Sequence, residues 1–279
     1  MSFQSFRDDP HAYKAARLIG LLGLAWASLE LISYVVIRPF FLQLLENNPK
    51  LAGQKKKQEA TATQMMPRVV CFVHNIIQIP LGLFILLDPF YNRNAIWARD
   101  DFSTLVMAIS AGYFLYDTLE CMYRIKHEGW DFLLHGVFCL MVYSFLTHTG
   151  YLHFYGAGFL MWELSTPFMH FRWFLYKIGK DTTKLYAYNA LGGMAVFFLC
   201  RILWGNFLSI MFWVDSVRVL ATPAGAALPM SAIWVYRLST LVMNGLNAWW
   251  FSKMMKILLE TVRGSSSSST AKAVTAKAQ

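Results

Sequence analysis

Long apolar runs separated by short polar breaks dominate the chain. Seven of them lie at roughly 18–42, 68–88, 102–123, 131–150, 153–177, 185–213 and 230–255. A helix needs about 20 apolar residues to cross ~30 Å of hydrocarbon, and each run can supply such a span. The breaks carry helix-stopping or turn-forming residues: Asn47-Asn48-Pro49, Asp88-Pro89, Glu128-Gly129 and Lys180-Asp181. The pattern predicts an all-α integral membrane protein with about seven transmembrane helices. Its expected divisions are a tail over 1–17, an N-terminal transmembrane helix over 18–45, a basic loop over 46–64, a helical domain over 65–262 and a disordered tail over 263–279. That last segment is rich in Ser, Ala, Thr and Lys, and such a composition cannot bury apolar surface. The first run is too long for the ~7–15-residue core of a cleavable signal peptide, so it is expected to act as a signal anchor.

Composition sharpens the picture. Of the 279 residues, 15% are charged, against about 25% in a soluble domain. The formal net charge is +9, which in a soluble chain would point to nucleic acid. Here Lys and Arg sit in the breaks between apolar runs, which sets orientation and attracts anionic head groups instead. One side collects Arg7, Lys14, Arg17, Arg93, Arg99 and Arg218. The other collects Lys50, Lys55, Lys56, Lys57, Arg68, Arg124, Lys126, Lys177, Lys180, Lys184, Lys253, Lys256, Arg263, Lys272 and Lys277. The imbalance predicts a cytosolic C-terminus.

Ionisable groups inside the runs are the places to look for function, because each costs several kcal/mol unless it is paired or faces an aqueous hollow. The candidates are Asp117 and Glu120, His135, Glu163 and His170, Arg201, and the amides Asn244 and Asn247. From the helical rise, Asp117, His135 and His170 lie roughly 6–10 Å inside one face, and Glu163 and Arg201 lie roughly 20–25 Å in. Two layers are expected: an acid–histidine cluster, and a deeper Glu163–Arg201 ion pair. Pro167 cannot donate to the carbonyl of Glu163, so a kink and a free acceptor are expected beside that carboxylate. Cys71, Cys121, Cys139 and Cys200 show no paired spacing and read as small apolar residues. Trp97, Trp130, Trp173, Trp213 and Trp234 read as interfacial belts. Gly192-Gly193 and Gly156-x-Gly158 read as helix-packing sites. Phosphate-binding glycine loops, zinc-protease and serine-hydrolase signatures do not occur in the sequence.

Four short motifs stand in a particular order. Gly112-Tyr113-Phe114-Leu115-Tyr116-Asp117 closes one run, and Trp130-Asp131-Phe132-Leu133-Leu134-His135 opens the next. Trp162-Glu163-Leu164-Ser165-Thr166-Pro167-Phe168 and then Arg172-Trp173 follow, with Arg68 to His74 ahead of them all. This series resembles the TLC domain family of translocating-chain-associating proteins, longevity-assurance-type ceramide synthases and the neuronal ceroid-lipofuscinosis endoplasmic-reticulum protein. It is most similar to the TLC-domain-containing, transmembrane-protein-56-like branch. The resemblance implies a six-helix bundle with a cavity open to lipid, here with one extra N-terminal helix, in the endoplasmic reticulum membrane. His135 matches the first histidine of the ceramide-synthase pair, and Glu163 the first acid of the later motif. Gly136 stands where the second histidine would be, so the two-histidine acyl-transfer site is incomplete.

These readings lead to a membrane lipid-homeostasis protein that binds a lipid or acyl chain in an intramembrane cavity. His135, Asp117 and Glu163 are the candidate reactive groups; His170, Arg201, Asn244 and Asn247 are candidate cavity-lining groups. Two alternatives are an acyl-CoA-dependent acyltransferase using His135 as base, and a trafficking factor. No cofactor or metal is expected, with acyl-CoA a cosubstrate only under the enzyme reading. The expected partners are membrane lipids, with no nucleic acid.

Overall fold

The structure is a computed structural model. It describes the backbone of residues 10–277 and the side chains of 11–261 and 263. The seven apolar runs form seven helical rods. The first four are single helices: α1 (Pro10–Glu46), α2 (Lys55–Leu87), α3 (Asp101–Tyr123) and α4 (Trp130–Thr149). The fifth is α5 (His153–Leu160) and α6 (Thr166–Lys177), joined by a 3-10 stretch over Met161–Ser165. The sixth is α7 (Lys184–Phe197), a π-helical stretch over Phe198–Trp204, and α8 (Gly205–Leu220). The seventh is α9 (Met230–Lys277). Its side chains beyond 263 lie outside the described residues, and the expected disorder of 263–279 falls on that segment. The tail before residue 10 also lies outside them.

Among the described residues, five helices are long and apolar enough to cross a membrane: His11–Glu46, Lys55–Leu87, Asp101–Tyr123, Trp130–Thr149 and Lys184–Leu220. Apolar side chains cover their outer faces. Leu31, Val35, Phe40, Leu87, Leu203 and Ile210 are all exposed, as lipid contact demands and water would penalise. The chain is an all-α, multi-pass membrane protein.

Local chemistry sets the rod ends. Asp100 starts α3 by a reciprocal capping box: its carboxylate accepts from the Ser103 N–H at 2.7 Å, and its own N–H donates to Ser103 Oγ at 3.0 Å. The Tyr91 hydroxyl donates to the same carboxylate at 2.8 Å. Partial burial pushes the Asp100 carboxyl up, but the hydrogen bonds outweigh it and hold it below its ordinary value. This cap is therefore at full strength above the ordinary carboxylate range and weakens on acidification. Gly129 (φ 101°) and Gly150 (φ 70°) bracket α4 in a conformation that disfavours other residues.

The first rod is built into the bundle. Its Trp26 indole donates to the Ile109 carbonyl of α3 at 3.3 Å, and Glu30 accepts from Tyr116 Oη at 2.8 Å. Gly112 lets the backbones of α1 and α3 meet at Leu22 and Gly23. One apolar core, with Met107, Leu146, Tyr155, Leu208, Phe212 and Tyr236 at its centre, runs through most of the rods. A smaller cluster of Phe41, Leu45 and Ala62 packs against Trp173 and Phe174. Nearby, Asn48 Nδ2 donates to the Lys177 carbonyl at 2.7 Å, and Lys50 pairs with Asp181 at 2.7 Å. Each of these last two charges favours the other, raising the Lys50 ammonium and lowering the Asp181 carboxyl.

Candidate functional site

The most ordered polar structure sits where the fifth and sixth rods cross. On the fifth, residues 161–165 wind tightly as 3-10 helix; on the sixth, residues 198–204 wind loosely as π-helix. Single π turns are often found at functional sites. Arg201 lies inside the π stretch and Glu163 inside the 3-10 stretch, and both are buried. Arg201 Nη2 meets Glu163 Oε1 at 3.3 Å. Its Nε donates to the Trp162 carbonyl and to Ser165 Oγ, both at 3.0 Å. Nη2 also donates to Thr166 Oγ1 at 3.0 Å, and Nη1 to Asn247 Oδ1 at 3.3 Å. Thr166 Oγ1 in turn donates to Glu163 Oε2 at 2.7 Å. The ion pair expected from depth alone is thus embedded in a hydrogen-bonded network.

The kink differs from expectation in one respect. The Glu163 carbonyl is not free, because the 3-10 winding brings the Thr166 N–H onto it. The Trp162 carbonyl, one residue earlier, accepts from Arg201 Nε across the rods. Pro167 then falls in the first turn of α6, where its missing N–H costs nothing.

A cavity of about 470 Å³ opens beside this network. Asp117 from α3, His135 from α4, Glu163 and His170 from the fifth rod and Arg201 from the sixth all line it. Its mouth is charged: Arg68, Glu120, Arg124, Glu128, Asp131 and Lys253. These charges are held in pairs. Arg124 Nε meets Glu120 at 2.6 Å, Arg68 meets Glu128 at 3.5 Å, and Lys253 meets Asp131 at 3.5 Å. Arg68 and Arg124 had the look of orientation charges; tertiary packing brings both to the cavity. Trp173, read as a belt residue, stands at the mouth with the Arg68 guanidinium 4.3 Å over its ring.

A second, apolar chamber of about 40 Å³ adjoins the first and shares Phe114, His135 and Glu163 with it. Its other walls include Phe138, Cys139, Tyr143, Phe159, Tyr236 and Met243. His135 therefore stands at the throat between a polar vestibule and an apolar recess. Its ring lies edge-on to Phe114 (6.1 Å) and Trp250 (5.7 Å).

Two of the eight polar positions are placed elsewhere. Asn244 does not line the cavity; its Nδ2 donates to Ser209 Oγ at 2.8 Å and ties α9 to α8. Asn247 acts through Arg201 rather than facing the hollow. Glu120 belongs to the mouth. Further buried polar groups carried no sequence signal beyond a single letter in an apolar run. His74 stacks on Tyr113 at 3.8 Å between rings, and Arg237 Nη2 donates to Ser216 Oγ at 2.9 Å.

Gly136 explains the absent second histidine. It is buried, and an added Cβ would lie 3.0 Å from Thr118 Oγ1 and 3.5 Å from Thr118 Cα on α3. Position 136 faces α3, where the same Cβ would also lie 3.4 Å from Oδ2 of Asp117, a cavity-lining carboxylate. Gly136→His should therefore lower stability by about 1–3 kcal/mol through overpacking, read as a lower melting temperature in detergent, and should not create a paired-histidine site.

Comparison with known proteins adds a family. Residues 64–256 match the profile described as the TLC domain, more than half of the chain. Topoisomerase I damage affected protein 4 of Saccharomyces cerevisiae is 30% identical over 192 residues, 66% of this chain and 64% of its own. An uncharacterized TLC domain-containing protein of Schizosaccharomyces pombe is 26% identical over 209 residues, 75% of this chain and 70% of its own. TLC domain-containing protein 4 of Homo sapiens is 24% identical over 253 residues, 88% of this chain and 90% of its own.

Proposed function

The chain belongs to the TLC domain family, and from that premise we propose that it is a membrane lipid-homeostasis protein that holds a lipid or acyl chain in the cavity beside Glu163 and Arg201. The observation that carries this reading is the junction at His135. A vestibule of about 470 Å³ with charged pairs at its mouth leads to an apolar recess of about 40 Å³. Ligand sites commonly fall in the range of about 300–1,000 Å³, mostly apolar with a few placed polar groups. A lipid is the ligand whose two ends match such a hollow. Its head group meets the paired charges at the mouth, and its chain lies in the vestibule with one end at Phe114, beside the recess. The protein resides in the endoplasmic reticulum membrane with its C-terminus in the cytosol, which puts the charged mouth on the cytosolic side.

The acyltransferase alternative in its ceramide-synthase form lacks its second histidine, because Gly136 stands at that position, packed against Thr118 and Asp117 of α3.

The test is lipid content. Purified protein carries lipid that organic extraction and mass spectrometry quantify per mole of chain. Met169→Trp adds bulk to the vestibule wall and lowers that content about tenfold, the effect of ~1.4 kcal/mol. Leu185→Trp, at an exposed position, leaves it unchanged. Wild-type lipid content in Met169→Trp would overturn the reading.

A further inference from the structure

Resting on that lipid-binding reading, we infer that Cys139 is an acyl-accepting nucleophile, its thiol set beside the His135 imidazole at the throat between the two chambers.

The pairing comes from helix geometry. Cys139 is one turn beyond His135 on α4, so the two share a face. Cys139 Sγ lies 3.7 Å from Nε2 and 3.9 Å from Nδ1 of His135, within reach of a thiol–imidazole hydrogen bond. An activated nucleophile is recognised by a base at such a distance. Among the described residues, no other hydrogen bond engages the His135 ring, so its nitrogens are free to take a proton. The other cysteines lack this partner. Cys200 donates to the Trp162 carbonyl at 3.6 Å, while Cys71 and Cys121 line the vestibule with no imidazole beside them.

The surroundings suit an acyl group. Cys139 borders the apolar recess with Tyr143, Phe159 and Met243, beside the throat that opens on the larger vestibule. In the same recess, Tyr236 is 1% exposed and its hydroxyl has no hydrogen-bond partner among the described residues. A buried donor without an acceptor costs about 1–3 kcal/mol, and a carbonyl entering the recess offers that acceptor. At the other end, the mouth holds Arg68, Arg124 and Lys253 in pairs with Glu128, Glu120 and Asp131.

The step balances without an oxidant or reductant. His135 takes the Sγ proton, and the thiolate attacks the carbonyl carbon of an acyl thioester such as an acyl-CoA. A carbon–sulfur bond to Cys139 forms as the bond to the carrier sulfur breaks, and the departing thiolate recovers the proton from His135. The products are S-acyl-Cys139 and the free carrier thiol. Glu163 borders both chambers alongside His135 and supplies negative charge near the transient imidazolium.

The experiment uses the purified full-length chain and radiolabelled palmitoyl-CoA. Label surviving denaturation and lipid extraction, but released by neutral hydroxylamine, is expected on the wild type and maps by peptide mass spectrometry to Cys139. Cys139→Ala abolishes it, and Cys71→Ala and Cys121→Ala retain it. His135→Ala slows it about a hundredfold, the contribution of a general base. Cys139→Ser, nearly isosteric, removes the hydroxylamine-sensitive label and serves if the alanine variant folds poorly. Equal label in Cys139→Ala, or none on a wild type that still retains palmitoyl-CoA non-covalently, would overturn the inference while leaving lipid binding intact. No retention by either protein would overturn the lipid-binding reading as well.

Discussion

Arg201→Ala is expected to cost about 3–5 kcal/mol, the penalty for leaving a buried charge without its partner. The guanidinium satisfies five groups at once: the Glu163 carboxylate, the Trp162 carbonyl, Ser165, Thr166 and Asn247. Its loss strands an acid that is 8% exposed and removes the Nε donor from the Trp162 carbonyl. No nearby lysine or histidine is placed to replace five donors in a fixed fork. The measurement is thermal unfolding in detergent followed by size-exclusion chromatography, and the expected outcome is a large fall in melting temperature with aggregation. Glu163→Gln should cost less, because the Gln amide oxygen still accepts from Arg201 while its Nε2 can donate to Thr166 Oγ1, whose hydroxyl must then turn away. If Arg201→Ala melted with the wild type, the network would carry no stability.

The second large effect is expected at Gly112. A Cβ there would lie 2.5 Å from Leu22 Cβ and 3.0 Å from both the Leu22 carbonyl carbon and the Gly23 nitrogen. Two of those atoms are backbone, so no rotamer change relieves the contact. Gly112→Leu must push α1 away from α3 and break the Trp26–Ile109 and Glu30–Tyr116 hydrogen bonds. Overpacking of this kind costs ~1–3 kcal/mol, and more where backbone must move. Proteolysis of purified protein should then release the first rod, while Gly20→Leu, where the added group meets nothing within 4 Å, leaves the digestion pattern unchanged. The prediction matters because α1 precedes the matched residues 64–256. It is nevertheless bound to the domain through Arg124, which also meets Glu30 at 3.4 Å.

Hydropathy made the seven rods legible, because lipid imposes both length and apolarity on anything that crosses it. The polar set was legible for the same reason: Asp117, His135, Glu163, His170 and Arg201 stand out where charge is expensive, and the structure gathers them around one hollow. Depth from the helical rise also put Glu163 and Arg201 at one level. What stayed hidden depended on winding and on neighbours. A 3-10 turn and a π turn have no letter pattern of their own, so the bond from the Thr166 N–H that fills the Glu163 carbonyl was not legible. Asn244 looked like a cavity group, but Ser209 on the facing helix claims it. Cys139 read as a small apolar residue because its meaning comes from His135 one turn away and from the recess beside it. Arg237 was overlooked in a long apolar run; its guanidinium lies 4.9 Å from the Trp213 ring and 5.3 Å from that of Trp234, which shelter it from lipid.

The tight winding of residues 161–165 also sets direction. A 3-10 helix advances about 2.0 Å and turns about 120° per residue, against about 1.5 Å and 100° in an α-helix. Over five residues the difference is about 2.5 Å of reach and about 100° of heading. With His153–Leu160 held by the core, ordinary coiling would deliver the following stretch short of its present level and swung aside by more than a quarter revolution. His170 and Trp173 would then point at lipid tails instead of the entrance. That compact twist is what aims the second half of the rod.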